Sequence, residues 1–291
     1  MNLLIKLYHI AQQLRWYQWY KAFYTFFALL WIPHSAYTAV SLVFVAAVIF
    51  IIASSIVYII NDIYDIERDS LHPTKKQRPL AAGKITLFEA YSLLLILSGT
   101  LLLAMGAVNN TWLAVIILVY LFVNILYTFG LKHLPYIDII TIGMLAGLRV
   151  IAGFVVLGLP VAWYFVMVIV TLVLFVMSVQ RLAEISMNLV GTRPVLRVYN
   201  PKVLKLLMTV FMMISVILYY FAMAMVAIPL VYTDVLYFLV LFSVHQFMMF
   251  SHTKVNKIDN GFKIFVENRT TLVLSLLFAL VMIVSLVWFL R

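Results

Sequence analysis

The sequence predicts an all-helical, polytopic membrane protein with nine transmembrane helices and a cytoplasmic N-terminus. Three observations carry that prediction. Of the 291 residues, 66% are hydrophobic and 10% are charged, far too little polar surface for a soluble protein of this length. Nine stretches approach the ~20 apolar residues that a spanning helix needs: 20–36, 39–61, 86–107, 110–129, 135–157, 162–184, 203–226, 229–251 and 270–290. Finally, 18 of the 20 basic residues fall on one side of the alternating topology that these spans create.

The elements follow in order. Residues 1–14 carry Leu3, Leu4, Leu7, Ile10, Ala11 and Leu14 at helical spacing against Lys6, His9, Gln12 and Gln13, the pattern of an interfacial helix lying on the bilayer. This segment is too short and polar to span and has no small-residue cleavage site, so a signal peptide is not expected. Pro33 shortens or kinks the first span. The loops at 62–85, 131–134, 185–202 and 252–269, with the N-terminal segment, collect the cations, and the positive-inside rule makes them cytoplasmic. The opposite loops are short and almost uncharged. Arg149 lies inside a span and Arg291 is the final residue. No linker divides the chain, so 1–291 reads as a single membrane domain. With no cysteine, disulfide and thiolate chemistry are excluded. The net charge of +10 does not indicate a nucleic-acid binder, because the hydrophobicity rules out a soluble one.

Four of the ten acidic residues fall within Asn61-Asp62-Ile63-Tyr64-Asp65-Ile66-Glu67-Arg68-Asp69. On a helix leaving the membrane, Asp62, Asp65 and Asp69 are spaced i, i+3, i+7, with Asn61 one turn before Asp65, so these four share a face and Glu67 does not. Crowded carboxylates repel one another unless cations lie between them. Hard oxygen donors of this kind suit Mg²⁺, which completes its shell with water and phosphate oxygens. The plain alternative is a solvated acidic helix end, but ionisable groups at a membrane boundary usually serve function. The following loop adds Lys75, Lys76, Arg78 and Lys84. Metal with Lys and Arg is how a site grips a polyphosphate. On charge alone, this loop is equally an anchor on the inner side of the membrane.

An NDxxDxxxD motif ending the second of nine helices resembles the UbiA superfamily of intramembrane prenyltransferases, whose helical-bundle fold it implies. The branch it resembles is that of the decaprenyl-phosphate phosphoribosyltransferases. Arg15-Trp16-Tyr17-Gln18-Trp19-Tyr20-Lys21-Ala22 is similar to that branch's RPxQWxKN motif, with Trp16 for Pro and Ala22 for Asn. The segment from Asn61 through His72-Pro73-Thr74-Lys75 to Arg78-Pro79-Leu80-Ala81-Ala82-Gly83 follows NDxxDxxxDxxHPTKxxRPxAAG. Tyr127–His133, Asp138 and Leu148–Gly153 resemble its YSxGLKH…D…LRxxAG stretch. Gln180-Arg181-Leu182-Ala183-Glu184 resembles its KRxxE motif, with Gln180 for Lys. The resemblance is good over 15–200 and weak beyond.

It implies a reaction: a polyprenyl phosphate attacks C1 of phosphoribosyl diphosphate and releases diphosphate. It also implies a multi-pass protein of a bacterial plasma membrane, with the active site on the cytoplasmic side, supplying a lipid-linked pentose for cell-envelope glycans. Expected partners are polyprenyl phosphate, phosphoribosyl diphosphate and the lipid bilayer, with room for a homo-oligomer. Mg²⁺ on Asn61, Asp62, Asp65 and Asp69 would stabilise the leaving diphosphate. The acceptor is already an anion and needs cations rather than a base; Lys21, Lys132 and Arg181 are candidates. Asp62, Asp65, Asp69, Lys21 and Arg181 form the expected catalytic set. Asn61, Tyr64, Lys75, Arg78, Tyr127, Lys132, Arg149 and Glu184 are the expected substrate contacts. Arg149, costly at mid-bilayer by roughly 2.5–3.5 kcal/mol on insertion scales, either faces a phosphate or pairs structurally, with Asp138 and Glu184 as possible partners. Tyr64 either touches substrate or packs.

Two rivals remain. A UbiA-type aromatic prenyltransferase using a polyprenyl diphosphate would need a second acidic metal motif, whereas residues 180–188 supply Arg181 and Glu184 and no second aspartate. A transporter would carry inverted repeats and a mid-bilayer site; no internal repeat is evident, and the acidic cluster lies at the boundary.

Overall fold

The computed structural model describes residues 3–31, 37–71, 75–186 and 194–225, and every regular element among them is helical. Six α-helices are long and apolar enough to cross a membrane. They correspond to the expected spans at 39–61, 86–107, 110–129, 135–157, 162–184 and 203–226. The spans expected at 229–251 and 270–290 lie outside the described residues. The chain divides into two compact units.

The first unit comprises Met1–Leu29, Tyr37–Lys132 and Leu148–Val161. It opens with α1 (Leu3–Gln13). Leu4, Ile5, Leu7 and Tyr8 are exposed, while His9 and Gln13 are buried, so part of the polar face turns inward. The expected span at 20–36 differs from expectation: a 3-10 helix runs from Trp16 to Trp31. The aromatic-rich run WYQWYKAFYTFF loses side-chain freedom in an α-helix, which weakens its α preference. At about 2.0 Å per residue, its 16 residues extend roughly 32 Å, similar to a hydrocarbon core. Its close neighbour is Gly153, where an added Cβ would sit 2.0 Å from the Thr25 carbonyl oxygen and 3.0 Å from the Ala28 methyl. Only glycine permits that approach.

Next come α2 (Tyr37–Tyr64) and, after a turn at Asp65, α3 (Ile66–Ser70). The single helix face expected for residues 61–69 therefore bends at Asp65, although the 61→65 and 65→69 backbone bonds persist at 2.9 and 2.7 Å. Helix α4 (Leu87–Val108) starts with a reciprocal capping box between Thr86 and Glu89. Glu89 also pairs with Lys6, fastening α1 to this corner. Helix α5 (Thr111–Phe129) is capped by the Asn110 side chain, and packs with α4 against α2. Under the acidic segment, Ile59, Leu80, Ile85 and Ala90 form a buried cluster joined by Ile10, Leu14, Ile63 and Ile66. One small core thus locks α1, the end of α2, α3 and the cationic loop together. Exposed Phe88, Leu95, Leu102 and Leu103 give α4 an apolar outer face suited to lipid.

The second unit comprises Leu30–Ala36, His133–Gly147 and Ala162–Arg291. It holds the first half of α6 (Ile137–Val156), with α7 (Trp163–Ser186) and α8 (Pro201–Met225). Gly143 and Gly147, one turn apart on α6, face α7: added Cβ atoms would meet Leu174 at 2.8 Å and Val170 at 2.9 Å. Small residues at such a seam let two membrane helices approach closely. Helix α7 packs along α8, and Ile139, Leu174, Val195, Leu196, Tyr199 and Leu204 form a buried core.

Candidate active site

Asp62 is 3% exposed and is gripped from three directions. Arg15 Nη2 donates at 2.5 Å, Gln13 Nε2 at 3.0 Å and Arg78 Nη1 at 3.0 Å. The same Arg78 nitrogen donates to Asp69 Oδ2 at 2.5 Å, so one guanidinium bridges two carboxylates. Lys75 Nζ stands 3.9 Å from Asp69. On the other side of the bend, Lys132 Nζ donates to both Asp65 oxygens at 2.7 and 2.9 Å, and to Asn61 Oδ1 at 3.5 Å. It also sits 5.0 Å from the centre of the Tyr64 ring, which packs edge-on against Phe129. Arg68 approaches Asp65 at 3.8 Å, and Glu67 is exposed, away from the cluster as expected.

Three carboxylates therefore meet five cations: Arg15, Arg68, Lys75, Arg78 and Lys132. The surplus is positive, which favours a bound polyanion. Titration behaviour follows from the surroundings. Burial raises the Asp69 carboxyl above its ordinary value, outweighing the opposing pull of Arg78 and Lys75. Burial lowers the Lys132 ammonium, with Asp65 acting against it. For Arg15, burial acts to lower the value, but Asp62 and nearby Tyr17 and Tyr58 leave it raised.

Local backbone explains how residues so far apart in sequence meet here. Arg15 adopts φ 52°, a left-handed conformation that costs a residue with a side chain of order 1–3 kcal/mol. The turn lies just beyond α1, and Gln13, the last residue of that helix, and Arg15 both donate to Asp62. Arg15 also stacks on Tyr58, its guanidinium 4.7 Å from the ring centre. Neither Gln13 nor Arg15 was among the expected site residues. For Arg15 the signal was its place at the head of the segment that resembles RPxQWxKN; for Gln13 it was weak, a polar residue on an interfacial helix.

Lys21 lies on the 3-10 helix, and its ammonium donates to Gln18 Oε1 at 2.9 Å. Arg149, Tyr120 and Arg15 lie within its electrostatic reach. Arg149 is buried and donates to Tyr120 Oη at 2.6 Å and Ser54 Oγ at 3.3 Å. Its guanidinium lies 4.7 Å from the Tyr120 ring centre and 5.7 Å from that of Phe50. The carboxylate partners expected for it, Asp138 and Glu184, are instead engaged by Arg181. Tyr127 is half-buried near the end of α5.

In the second unit, Arg181 is fully buried. Its Nε donates to Asp138 Oδ2 at 2.8 Å and its Nη1 to Glu184 at 3.0 and 3.2 Å. Gln180 Nε2 also donates to Glu184, at 3.1 Å. The Tyr199 hydroxyl donates to Asp138 and accepts from the Tyr136 amide at 2.8 Å. Burial, then Asp138, pushes the Tyr199 phenol well above its usual range. This network ties α6, α7 and the segment before α8 together.

The acidic segment offers only hard oxygens, the donor chemistry of Mg²⁺. Among the described residues, no three acidic or histidine side chains converge closely enough to cage a metal alone. An ionised carboxylate has about four lone-pair sites, so the Arg and Lys contacts leave capacity for a cation. Gln13 Oε1 is buried with no hydrogen-bond partner among the described residues. These features fit a divalent cation.

A statistical model of the UbiA prenyltransferase family matches residues 22–269. Relatives named decaprenyl-phosphate phosphoribosyltransferase include that of Mycolicibacterium smegmatis, 38% identical over 148 residues, which are 49% of this chain and 45% of that protein. The Corynebacterium glutamicum relative of the same name is 37% identical over 145 residues, 50% of this chain and 44% of that protein. The chain spans about half the length of the curated relatives it matches. In fold, it is similar to a UbiA homolog from Archaeoglobus fulgidus bound to GPP and Mg²⁺, with TM-score 0.73 and 18% identity, covering 96% of this chain and 99% of that one. An apo UbiA homolog from Aeropyrum pernix K1 gives TM-score 0.71 at 16% identity, covering 92% and 96%.

Proposed function

We propose that this chain, which belongs to the UbiA prenyltransferase family, transfers 5-phosphoribose from phosphoribosyl diphosphate to a decaprenyl-type polyprenyl phosphate. The observation that carries this reading is the state of the second motif. An enzyme that ionises an allylic diphosphate between metals on two helices needs carboxylates available on both. Here Asp138 and Glu184 are committed to the buried Arg181. The names of the relatives matched over half of the chain support the same reading.

In this reaction an acceptor phosphate oxygen forms a bond to C1 of the sugar while the C1–O bond to diphosphate breaks, the leaving group taking the electron pair. When bound, Mg²⁺ supplies charge neutralisation to that leaving group, and Asn61, Asp62, Asp65 and Asp69 are the residues that would hold it. Arg78 and Lys75 sit beside Asp69 and are placed to grip diphosphate oxygens. Lys132, over the Tyr64 ring, and Lys21 are the contacts for the incoming acceptor phosphate, with Tyr127 and Arg149 along the substrate path. Arg181 and Glu184 contribute by holding α6 and α7 in register. We place the protein in a bacterial plasma membrane as a single nine-span domain, its N-terminus and site cytoplasmic, supplying lipid-linked pentose for envelope glycans.

The test is purified protein with Mg²⁺ and labelled phosphoribosyl diphosphate, offered polyprenyl phosphates of several lengths. The expected result is label entering the lipid phase with stoichiometric diphosphate. Label staying in water, while an allylic diphosphate prenylates an aromatic acceptor, overturns the proposal.

A further inference from the structure

We infer that α1 docks in the lipid interface of the bilayer and that this docking positions Asp62, an inference that rests on the acidic segment being the working site proposed above. The two faces of α1 go to different surroundings. Leu4, Leu7 and Tyr8, spaced i, i+3, i+4, are exposed together with Ile5. On the opposite side His9 and Gln13 are buried, and Ile10 and Leu14 enter the small core beneath the acidic segment. One helix therefore offers apolar side chains outward and contacts to the site inward.

The outer face lies beside a surface that already suits lipid. Lys6 pairs with Glu89 in the first turn of α4 and donates to the Lys84 carbonyl at 3.5 Å. Phe88 and Tyr91, on either side of Glu89, are exposed and open the apolar outer face of α4. Trp16, Trp19 and Tyr20, just past the other end of α1, are exposed as well. Rings of this kind gather at the headgroup level of a bilayer. An apolar face bounded at both ends by lipid-facing residues matches a helix sunk part-way into the headgroup and acyl boundary.

A shift of α1 reaches the site through a joint that is bonded throughout. The Arg15 backbone, despite its left-handed φ, donates to Gln12 at 3.0 Å and accepts from Gln18 at 2.7 Å. The Leu14 carbonyl accepts from the Trp19 indole at 3.3 Å and from the Ser55 hydroxyl of α2 at 3.4 Å. Gln13 then donates to Asp62 Oδ2, and Arg15 to Oδ1. Two donors from one arm, one on each oxygen, set the rotation of the carboxylate, which makes Gln13 and Arg15 positioning residues. Such coupling is reciprocal: seating α1 in lipid fixes Asp62, and releasing Asp62 loosens α1.

The chain has no cysteine, so Leu7→Cys carries a single nitroxide in the full chain, reconstituted in phosphatidylethanolamine–phosphatidylglycerol nanodiscs. Electron paramagnetic resonance reads its collisions with oxygen, which dissolves in lipid, and with a water-soluble nickel chelate. The label is expected to meet oxygen and not nickel. Nickel access, or shielding from both by protein, overturns the docking. Adding Arg15→Ala is expected to mobilise the label, and Arg15→Lys to restore it in part, while a control label at Leu102→Cys on α4 keeps its spectrum. An unmoved label in Arg15→Ala overturns the coupling. Should Arg15→Ala fail to fold, Asp62→Asn removes the same ion pair from the α2 side and decides in the same way. In nanodiscs, unlabelled Leu4→Glu/Leu7→Glu is expected to lose about tenfold to a hundredfold in kcat for phosphoribosyl transfer, with donor KM little changed. A wild-type kcat in that variant overturns the positioning role. A wild type that transfers no phosphoribose defeats the proposed function instead, and the label measurements still decide docking and coupling.

Discussion

At the first motif three aspartates meet five cations, whereas at the second one arginine meets two carboxylates. The side chains differ as much in exposure as in count. Arg68, Lys75 and Arg78 are 50%, 29% and 26% exposed, while Arg181 and Asp138 are 2% and 1%. An excess of partly wet cations leaves attraction unspent for an incoming polyanion. A dry arginine between two carboxylates has none to spare, and its hydrogen bonds hold helices. The same residue types thus build a receptive site in one unit and a closed clamp in the other.

The largest test of this contrast removes a carboxylate from the first motif. Asp62→Asn, or chelation of divalent ions, is expected to cut phosphoribosyl transfer about a thousandfold or more, while melting shifts by only a few degrees. Breaking the clamp should do the reverse. Arg181→Ala strands two buried carboxylates and is expected to cost about 3–5 kcal/mol of stability, read as a steep fall in Tm in detergent, with Arg181→Lys recovering part of it. An Arg181→Ala protein that melts normally but loses donor binding would mean that the second motif is receptive as well. Arg78→Gln probes the bridging guanidinium: KM for the phosphosugar donor should rise about tenfold to a hundredfold, with kcat affected less. The smallest effect sharpens the clamp. Tyr199→Phe deletes one hydrogen bond to Asp138 and should destabilise by about 1–2 kcal/mol, with donor KM unchanged.

Much of this was legible in the sequence because it is written locally. The six described spans follow from runs of apolar residues, and the Asn61–Asp69 segment with its trailing cations is contiguous. What escaped depends on long-range placement. Gln13, at the end of a helix whose polar face reads as solvent-facing, and Arg15, in the turn beyond it, reach Asp62 across 49 and 47 residues. The Asp138–Arg181 pair spans 43 residues, and spacing alone offers Asp138 to Arg149 instead. The bend at Asp65 could not be read either, since nothing in Tyr64-Asp65-Ile66 forbids a continuing helix. The 3-10 helix Trp16–Trp31 brings Thr25 and Ala28 against Gly153, a long-range approach that a hydrophobicity pattern does not carry.

Helix α2 holds 28 residues and so measures roughly 42 Å, about 12 Å more than a hydrocarbon core. That length is enough to carry its polar end, with Asn61 and Asp62, to headgroup depth. For the proposed acceptor this sets where work is done. A lipid phosphate reaching that depth leaves its tail dissolved in the bilayer, and avoids an extraction cost of about 0.8 kcal/mol for every methylene drawn into water. Turnover should then follow the headgroup and be nearly indifferent to the number of isoprene units behind it.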